Sequence, residues 1–95
     1  MAVTDEENDV LRVSGGTSAH DLAAAISHAV YDNKRPVLRA IGAGAVNQAV
    51  KGVAIAQSFV GSRGLVLSVR PGFQEVEMRD GMTTAIVLRI YCDRA

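Results

Sequence analysis

A chain of 95 residues with ten bases, ten acids and 48% apolar residues makes one domain, because two separate cores would each be too small to fold without staples. Zero formal net charge leaves only weak non-specific attraction to nucleic acid, so any such binding has to use a local patch. No apolar run approaches the ~20 residues of a membrane span, the acidic N-terminus is no signal peptide, and the single cysteine excludes an intrachain disulfide, so a cytoplasmic protein with no membrane partner is expected.

Residues 1–9 hold four of the acids (Asp5, Glu6, Glu7 and Asp9) and no base, which predicts a disordered acidic leader. Such a leader is either simply solvated or competes for a basic surface of the domain. Residues 10–95 form the single folded domain and carry ten bases against six acids, a net of +4. A first strand covers 10–14, with Leu11 and Val13 on one face. Gly15-Gly16 breaks it. Ser18 then caps a helix whose first turn holds Asp21, where a carboxylate favours the positive end of the dipole. Leu22, Ile26, Ala29 and Val30 recur at i, i+4, i+7 and i+8, so this helix is amphipathic. Asn33 suits a left-handed termination, Lys34 and Arg35 suit a helix C-terminus, and Pro36 blocks continuation.

The second strand runs from Val37 to Gly42, with Val37, Arg39 and Ile41 pointing one way and Leu38 and Ala40 the other. After the Gly42-Ala43-Gly44 turn, a second helix runs from Ala45 to about Val60. Val46, Ala49, Val50, Val53 and Gln57 mark one face. Ile55 and Phe59 widen the apolar arc beyond what one sheet face requires, so a second surface is expected to cover this helix. Leu65 to Arg70 alternates as a third strand with Leu65, Leu67 and Val69 inward, and Pro71-Gly72 interrupts it. Phe73 to Met78 opens a hairpin turned at Arg79-Asp80-Gly81, and Thr83 to Cys92 is a long β-branched last strand. The order β-α-β-α-β-β with right-handed crossovers predicts an α/β two-layer fold: a mixed four-stranded sheet, both helices on one face, the other face solvated or covered by a partner.

Familiar catalytic arrangements are missing from this pattern. His20 and His28 are eight apart, too far for helical chelation, and no Cys or carboxylate cluster accompanies them, so no metal site is expected. Ser18, His20 and Asp21 are better explained as a helix cap than as hydrolytic machinery. Glu75 and Glu77 share one strand face and read as a solvated surface. No enzyme activity, no catalytic residue and no cofactor is expected. The segment Arg39 to Lys51 stands apart, because a strand, a glycine turn and a helix N-terminus present unpaired N–H groups to an anion. The third glycine of a dinucleotide fingerprint is absent, Asn47 standing there, and without a G-K-[ST] end a Walker loop is excluded. Glycines needed for a tight strand-to-helix turn account for the same spacing. Asn47 and Gln48 on the first turn and Lys51 one turn on can offer donors to phosphates or base edges. A basic patch has to be drawn from Lys34, Arg35, Arg39, Lys51, Arg63 and Arg70, each of which is otherwise an ordinary solvated charge.

The run from Ala40 to Phe59 (AIGAGAVNQAVKGVAIAQSF) resembles, almost residue for residue, the signature of the stage V sporulation protein S family. Arg12-Val13-Ser14 and Thr83-Thr84-Ala85-Ile86 fit as flanks, and the likeness covers about residues 10–92. It implies an Alba-like fold, a homodimer or higher homo-oligomer, and nucleic-acid binding (DNA or RNA) in a regulatory role linked to sporulation or development. The family motif falls here on Gly42, Gly44, Asn47, Gln48 and Lys51, and Arg39 and Arg70 join them as neighbouring bases of the candidate interface. One departure is the loop after the first strand. Alba proteins commonly carry lysine there as a phosphate contact, and this chain has Gly15-Gly16-Thr17. Two other readings are a protein-interaction module on the same scaffold and a small-ligand or nucleotide binder at the Gly42–Asn47 turn. The first two are discriminated by the bases: Arg39, Lys51 and Arg70 on one face favour nucleic acid, and scatter favours the interaction module.

Overall fold

The computed structural model describes residues 10–95, and the acidic leader expected over 1–9 lies outside the described residues. Strand β1 (Val10–Val13) leads into a loop that folds back on itself: Ser14 N–H donates to Thr17 Oγ1 at 2.8 Å and Thr17 N–H donates to the Ser14 carbonyl at 3.1 Å. Helix α1 (Ala19–Tyr31) begins at the expected cap, with the Asp21 amide donating to Ser18 Oγ at 3.2 Å. It also ends as the sequence requires. Asn33 takes φ 61, its N–H reaches the Val30 carbonyl at 3.0 Å, and Lys34 N–H reaches the Ala29 carbonyl at 2.9 Å. This paired closure satisfies carbonyls that the last turn would leave without donors.

Strand β2 (Val37–Ala40), helix α2 (Ala43–Val60), a single 3₁₀ turn (Gly61–Arg63), β3 (Leu65–Met78) and β4 (Gly81–Arg94) complete the chain. The sheet order is β1-β2-β4-β3, with β1 and β2 parallel and the other pairs antiparallel. Both helices lie on one face. Leu22, Ala23, Ile26 and Val30 of α1 and Ala45, Ala49 and Ala56 of α2 form one core with Val13, Leu38, Ala40, Leu88 and Ile90 of the sheet. Leu65, Leu67 and Val69 extend it along β3, as their alternation predicts.

Several boundaries differ from the sequence reading. Strand β2 stops at Ala40, and α2 begins at Ala43. Pro71-Gly72 does not interrupt the third strand, which pairs with β4 without a break from Leu65↔Arg94 to Met78↔Gly81. Pro71 is tolerated because β3 is an edge strand with a neighbour on one side only, so its missing N–H costs no ladder bond. Arg79-Asp80 forms the turn, and Gly81 at φ 123 already opens β4.

The buried face of α2 is also rotated from the expected one. Ala45, Ala49, Gly52, Ala56 and Val60 are buried, whereas Val50 is 55% exposed. Proximity of α1 is the cause. A Cβ built on Gly52 would lie 2.6 Å from Leu22 Cδ2 and 2.9 Å from its Cγ, so the seam admits only small residues. Val46, Val53 and Ile55 pack at its margins. Gln57, read as part of an apolar face, instead binds the edge strand twice: Nε2 donates to the Leu65 carbonyl at 2.9 Å and Oε1 accepts from Leu67 N–H at 2.7 Å.

Replacing Gly52 by valine is expected to lower the unfolding free energy by about 2 kcal/mol through overpacking. Leu22→Ala in the same chain should recover part of that loss. Denaturant titrations of the two single variants, the double variant and the parent check this; strictly additive losses would mean the two side chains do not meet.

Candidate nucleic-acid interface

Gly42 heads α2 at φ 94 and ψ 157, a backbone shape reserved almost wholly for glycine, and no side chain caps the helix. The first helical bond is Val46 N–H to the Gly42 carbonyl at 3.1 Å. The amides of Ala43, Gly44 and Ala45 consequently have no acceptor within the helix, and the positive end of its dipole stands behind them. The loop after β1 leans on this turn. Gly15 and Gly44 approach so closely that a Cβ on Gly44 would lie 3.6 Å from Gly15 Cα. Gln48 Nε2 donates to the Thr17 carbonyl at 2.8 Å and ties the loop to α2. One of its two amide hydrogens is therefore used inside the protein. Asn47 is exposed, with Nδ2 3.5 Å from Gln48 Oε1, and Lys51 is exposed one turn further on.

The helix-free face of the sheet carries a second feature. Strand alternation and register bring Arg12, Arg39, Arg70 and Arg89 onto it: Arg12 is opposite Arg39 across β1 and β2, and Arg70 is opposite Arg89 across β3 and β4. Val37, Ala85 and Val87 share this face and are only 5%, 0% and 3% exposed, although no helix of the described residues lies over them. Arg39 and Arg89 are half-buried on the same face, where their stems can shield apolar area while the heads stay in water. Gly72 makes room for one of them. A Cβ there would lie 3.3 Å from an Arg89 guanidinium nitrogen and 3.4 Å from Val87 Cγ2, so the Arg89 head spreads across the edge strand. Arg70 stacks on the Tyr91 ring at 4.2 Å, and Arg35 stacks on the same ring at 4.7 Å. A hollow of about 480 Å³ connects the two features, since Arg12 and Arg39 line it together with Ser14, Gly15 and the rim residue Glu77.

Gly42 and Gly44 thus stand at the sheet end that also holds Arg12 and Arg39. Arg70 belongs to the same open face, further along. Asn47 and Lys51 are on the outer surface of α2, in the other layer, so Arg39, Lys51 and Arg70 do not share one face. Arg12 and Arg89 were absent from the candidates drawn from the sequence. Each is flanked by apolar residues in its strand, and only the strand register reveals their partners. Glu75, Glu77, His20 and His28 are exposed, and among the described residues no group of three or more His, Cys, Asp or Glu is arranged to hold a metal ion. No helix of the described residues is long and apolar enough to cross a membrane.

Comparison with known proteins agrees with this geometry. A family model described as Stage V sporulation protein S matches residues 9–93. Among solved structures, Alba from Thermoplasma volcanium superposes with a TM-score of 0.60 over 90% of this chain and 99% of that chain, at 16% sequence identity. That identity carries the fold alone, and the expected Alba-like fold is the one found.

Gln48→Ala is expected to lower the unfolding free energy by about 1 kcal/mol, the net worth of one partly buried hydrogen bond. Amide exchange over the Ser14–Ser18 loop should quicken in the same variant. Exchange unchanged there would mean that the loop is held by its own Ser14–Thr17 bonds.

Proposed function

The chain belongs to the Stage V sporulation protein S family, and from that premise we propose that it is a non-enzymatic regulatory protein of sporulation or development that binds nucleic acid through the open face of its sheet. The observation that carries this reading is the grouping of Arg12, Arg39, Arg70 and Arg89 on one surface that no helix of the described residues covers. Guanidinium forks match phosphate oxygens bidentately, and half-buried stems lose little further freedom on binding. The Gly42–Gly44 turn lies next to this surface through Gly15, which lines the hollow beside Arg12 and Arg39 and packs against Gly44. Within the family motif, Gln48 positions the loop, and Asn47 and Lys51 serve as outlying contacts.

A few bases release few counterions. Titration of duplex DNA and of RNA should therefore show a shallow salt dependence, about two to four phosphates per protomer. Arg39→Gln should weaken binding to all sequences alike and reduce the slope by about one unit, and Lys51→Ala should do less. No saturable binding to either polymer at low salt, from a folded sample, would favour the second reading, a protein-interaction module. One observation supports that alternative: Lys51 lies on the opposite layer from the arginines.

The same proposal includes a homodimer or higher homo-oligomer. Phe59, 43% exposed near the end of α2, and the edge of β3 beyond its Gln57 contacts are its contact surfaces. Because Phe59 is exposed, Phe59→Ala should leave the fold stable while shifting light scattering at micromolar concentration towards the monomer. A parent protein that scatters as a monomer at high concentration would remove the oligomer from the proposal.

A further inference from the structure

A groove of about 760 Å³ lies at the sheet end opposite the Gly42 turn, where α1 stops and β4 ends. Tyr31, Lys34, Arg35, Arg63, Tyr91 and Arg94 line it, with Asp93 as its single carboxylate. Three separate segments supply the four cations: the loop after α1, the 3₁₀ turn and the end of β4. Two of the guanidinium groups are held against rings, Arg63 over Tyr31 at 4.3 Å and Arg35 over Tyr91 at 4.7 Å. The walls are fixed as well. Ala95 N–H donates to the Gly64 carbonyl at 2.8 Å, which pins the end of β4 to the 3₁₀ turn.

Among the described residues, the helix ends do not account for this convergence of cations. The helix ends beside the groove are closed by their own backbone, through Lys34 N–H to Ala29, Gly61 N–H to Gln57 and Gly64 N–H to Gly61, so those carbonyls do not need the side chains. Four positive groups against one carboxylate repel one another around a shared space, and a compact anion of several charges relieves that repulsion. Planar guanidinium groups suit phosphate, and tyrosine hydroxyls add donors beside them. The volume exceeds what a single phosphate fills and falls in the range of small-ligand sites. We propose that this groove binds a phosphate chain, as carried by a nucleoside di- or triphosphate or by the 5′-phosphorylated end of a nucleic-acid strand. The site meets the arginine face at Tyr91, on which Arg70 also stacks, and does not depend on the nucleic-acid reading.

The composition supplies its own reporter. Tyr31 and Tyr91 are the only tyrosines, tryptophan is absent, and both rings line the groove, so intrinsic emission of the full chain reports on this site. Inorganic tripolyphosphate, which does not absorb in the tyrosine band, is titrated at low salt, with orthophosphate for comparison. The expected result is a saturable emission change at least tenfold tighter for tripolyphosphate. The double variant Lys34→Gln/Arg63→Gln, whose sites are exposed and whose fold is checked by circular dichroism, should weaken it tenfold or more. Arg79→Gln, which removes a charge from the distant hairpin turn, should leave it within twofold. No saturable change, or an unchanged affinity in the folded double variant, overturns the proposal. Competition names the source. Displacement by ADP assigns a free nucleotide, displacement by a 5′-phosphorylated but not a 5′-hydroxyl oligonucleotide assigns a strand end, and displacement by none of them overturns the assignment to a phosphate chain.

Discussion

The contact between Gly52 and Leu22 sets the rest of the architecture. With no side chain on α2 at that point, α1 can lie against it closely enough for Leu22 to rest on its backbone. Ala45, Ala49 and Ala56 continue the same small-residue line, so both helices fit side by side over one face of a four-stranded sheet. The interior stays methyl-rich and thin, as a chain with 4% aromatic residues must keep it. Among the described residues all the helical material is used on that side, and none forms a second layer over the other face of the sheet.

That bare face shapes what the protein can present. Val37, Ala85 and Val87 are nearly dry without a helix of the described residues above them, and the stems of the half-buried Arg39 and Arg89 can shield apolar area there. Stability and surface chemistry are therefore joined in the same side chains. An arginine laid over a valine shields apolar area with its methylenes and holds its guanidinium at a defined height above the sheet. Gly72 and Tyr91 refine that arrangement, the first by leaving space beside the Arg89 head and the second by offering a ring to Arg70 and Arg35. Lysine would cover the same area but lacks the planar head that stacks and forks.

Features decided within a few residues were legible in the sequence. The Ser18 cap, the Asn33 termination, the Asp80-Gly81 turn signal and the element order all rest on local backbone preference or on short periodicities, and the structure has each of them. What escaped depends on distant neighbours. Pro71 reads as a break until the strand order makes β3 an edge. Hydrophobic periodicity ranks valine above alanine and glycine, so it chose the wrong face of α2, where a close partner selects for smallness instead. Gln57 read as one edge of the apolar face and Gln48 as a donor to a ligand, yet each binds backbone of another element. The glycine turn of the candidate site was visible because it is one continuous segment. The arginine face was visible only in half, through Arg39 and Arg70, because its assembly needs the pairings Arg12↔Arg39 and Arg70↔Arg89.

A formal charge of zero is compatible with a binding face because the charges are segregated. Exposed charges more than about 10 Å apart are largely screened at 0.1 M salt, so a ligand responds to the local set. Asp21 belongs to α1, Asp32 to the turn after it, Glu75, Glu77 and Asp80 to the hairpin, and Asp93 to the end of β4, where alternation puts it on the face of Arg89. By alternation Glu75 and Glu77, opposite Thr84 and Met82, point away from the strand face that bears Arg70 and Arg89. Twist nevertheless brings Glu77 to the rim of the hollow beside Arg12 and Arg39. The strip is thus not uniform: its Arg12 end has Glu77 among the residues lining the hollow beside it, while its Arg70 end is backed by Tyr91, on which Arg35 of the far groove also stacks, and has Asp93 on the same face. A nucleic-acid backbone lying along the open face would meet Arg12 and Arg39 beside the hollow at one end and ring-backed guanidinium groups at the other. The two ends of the sheet thereby differ in a way that net charge alone does not reveal.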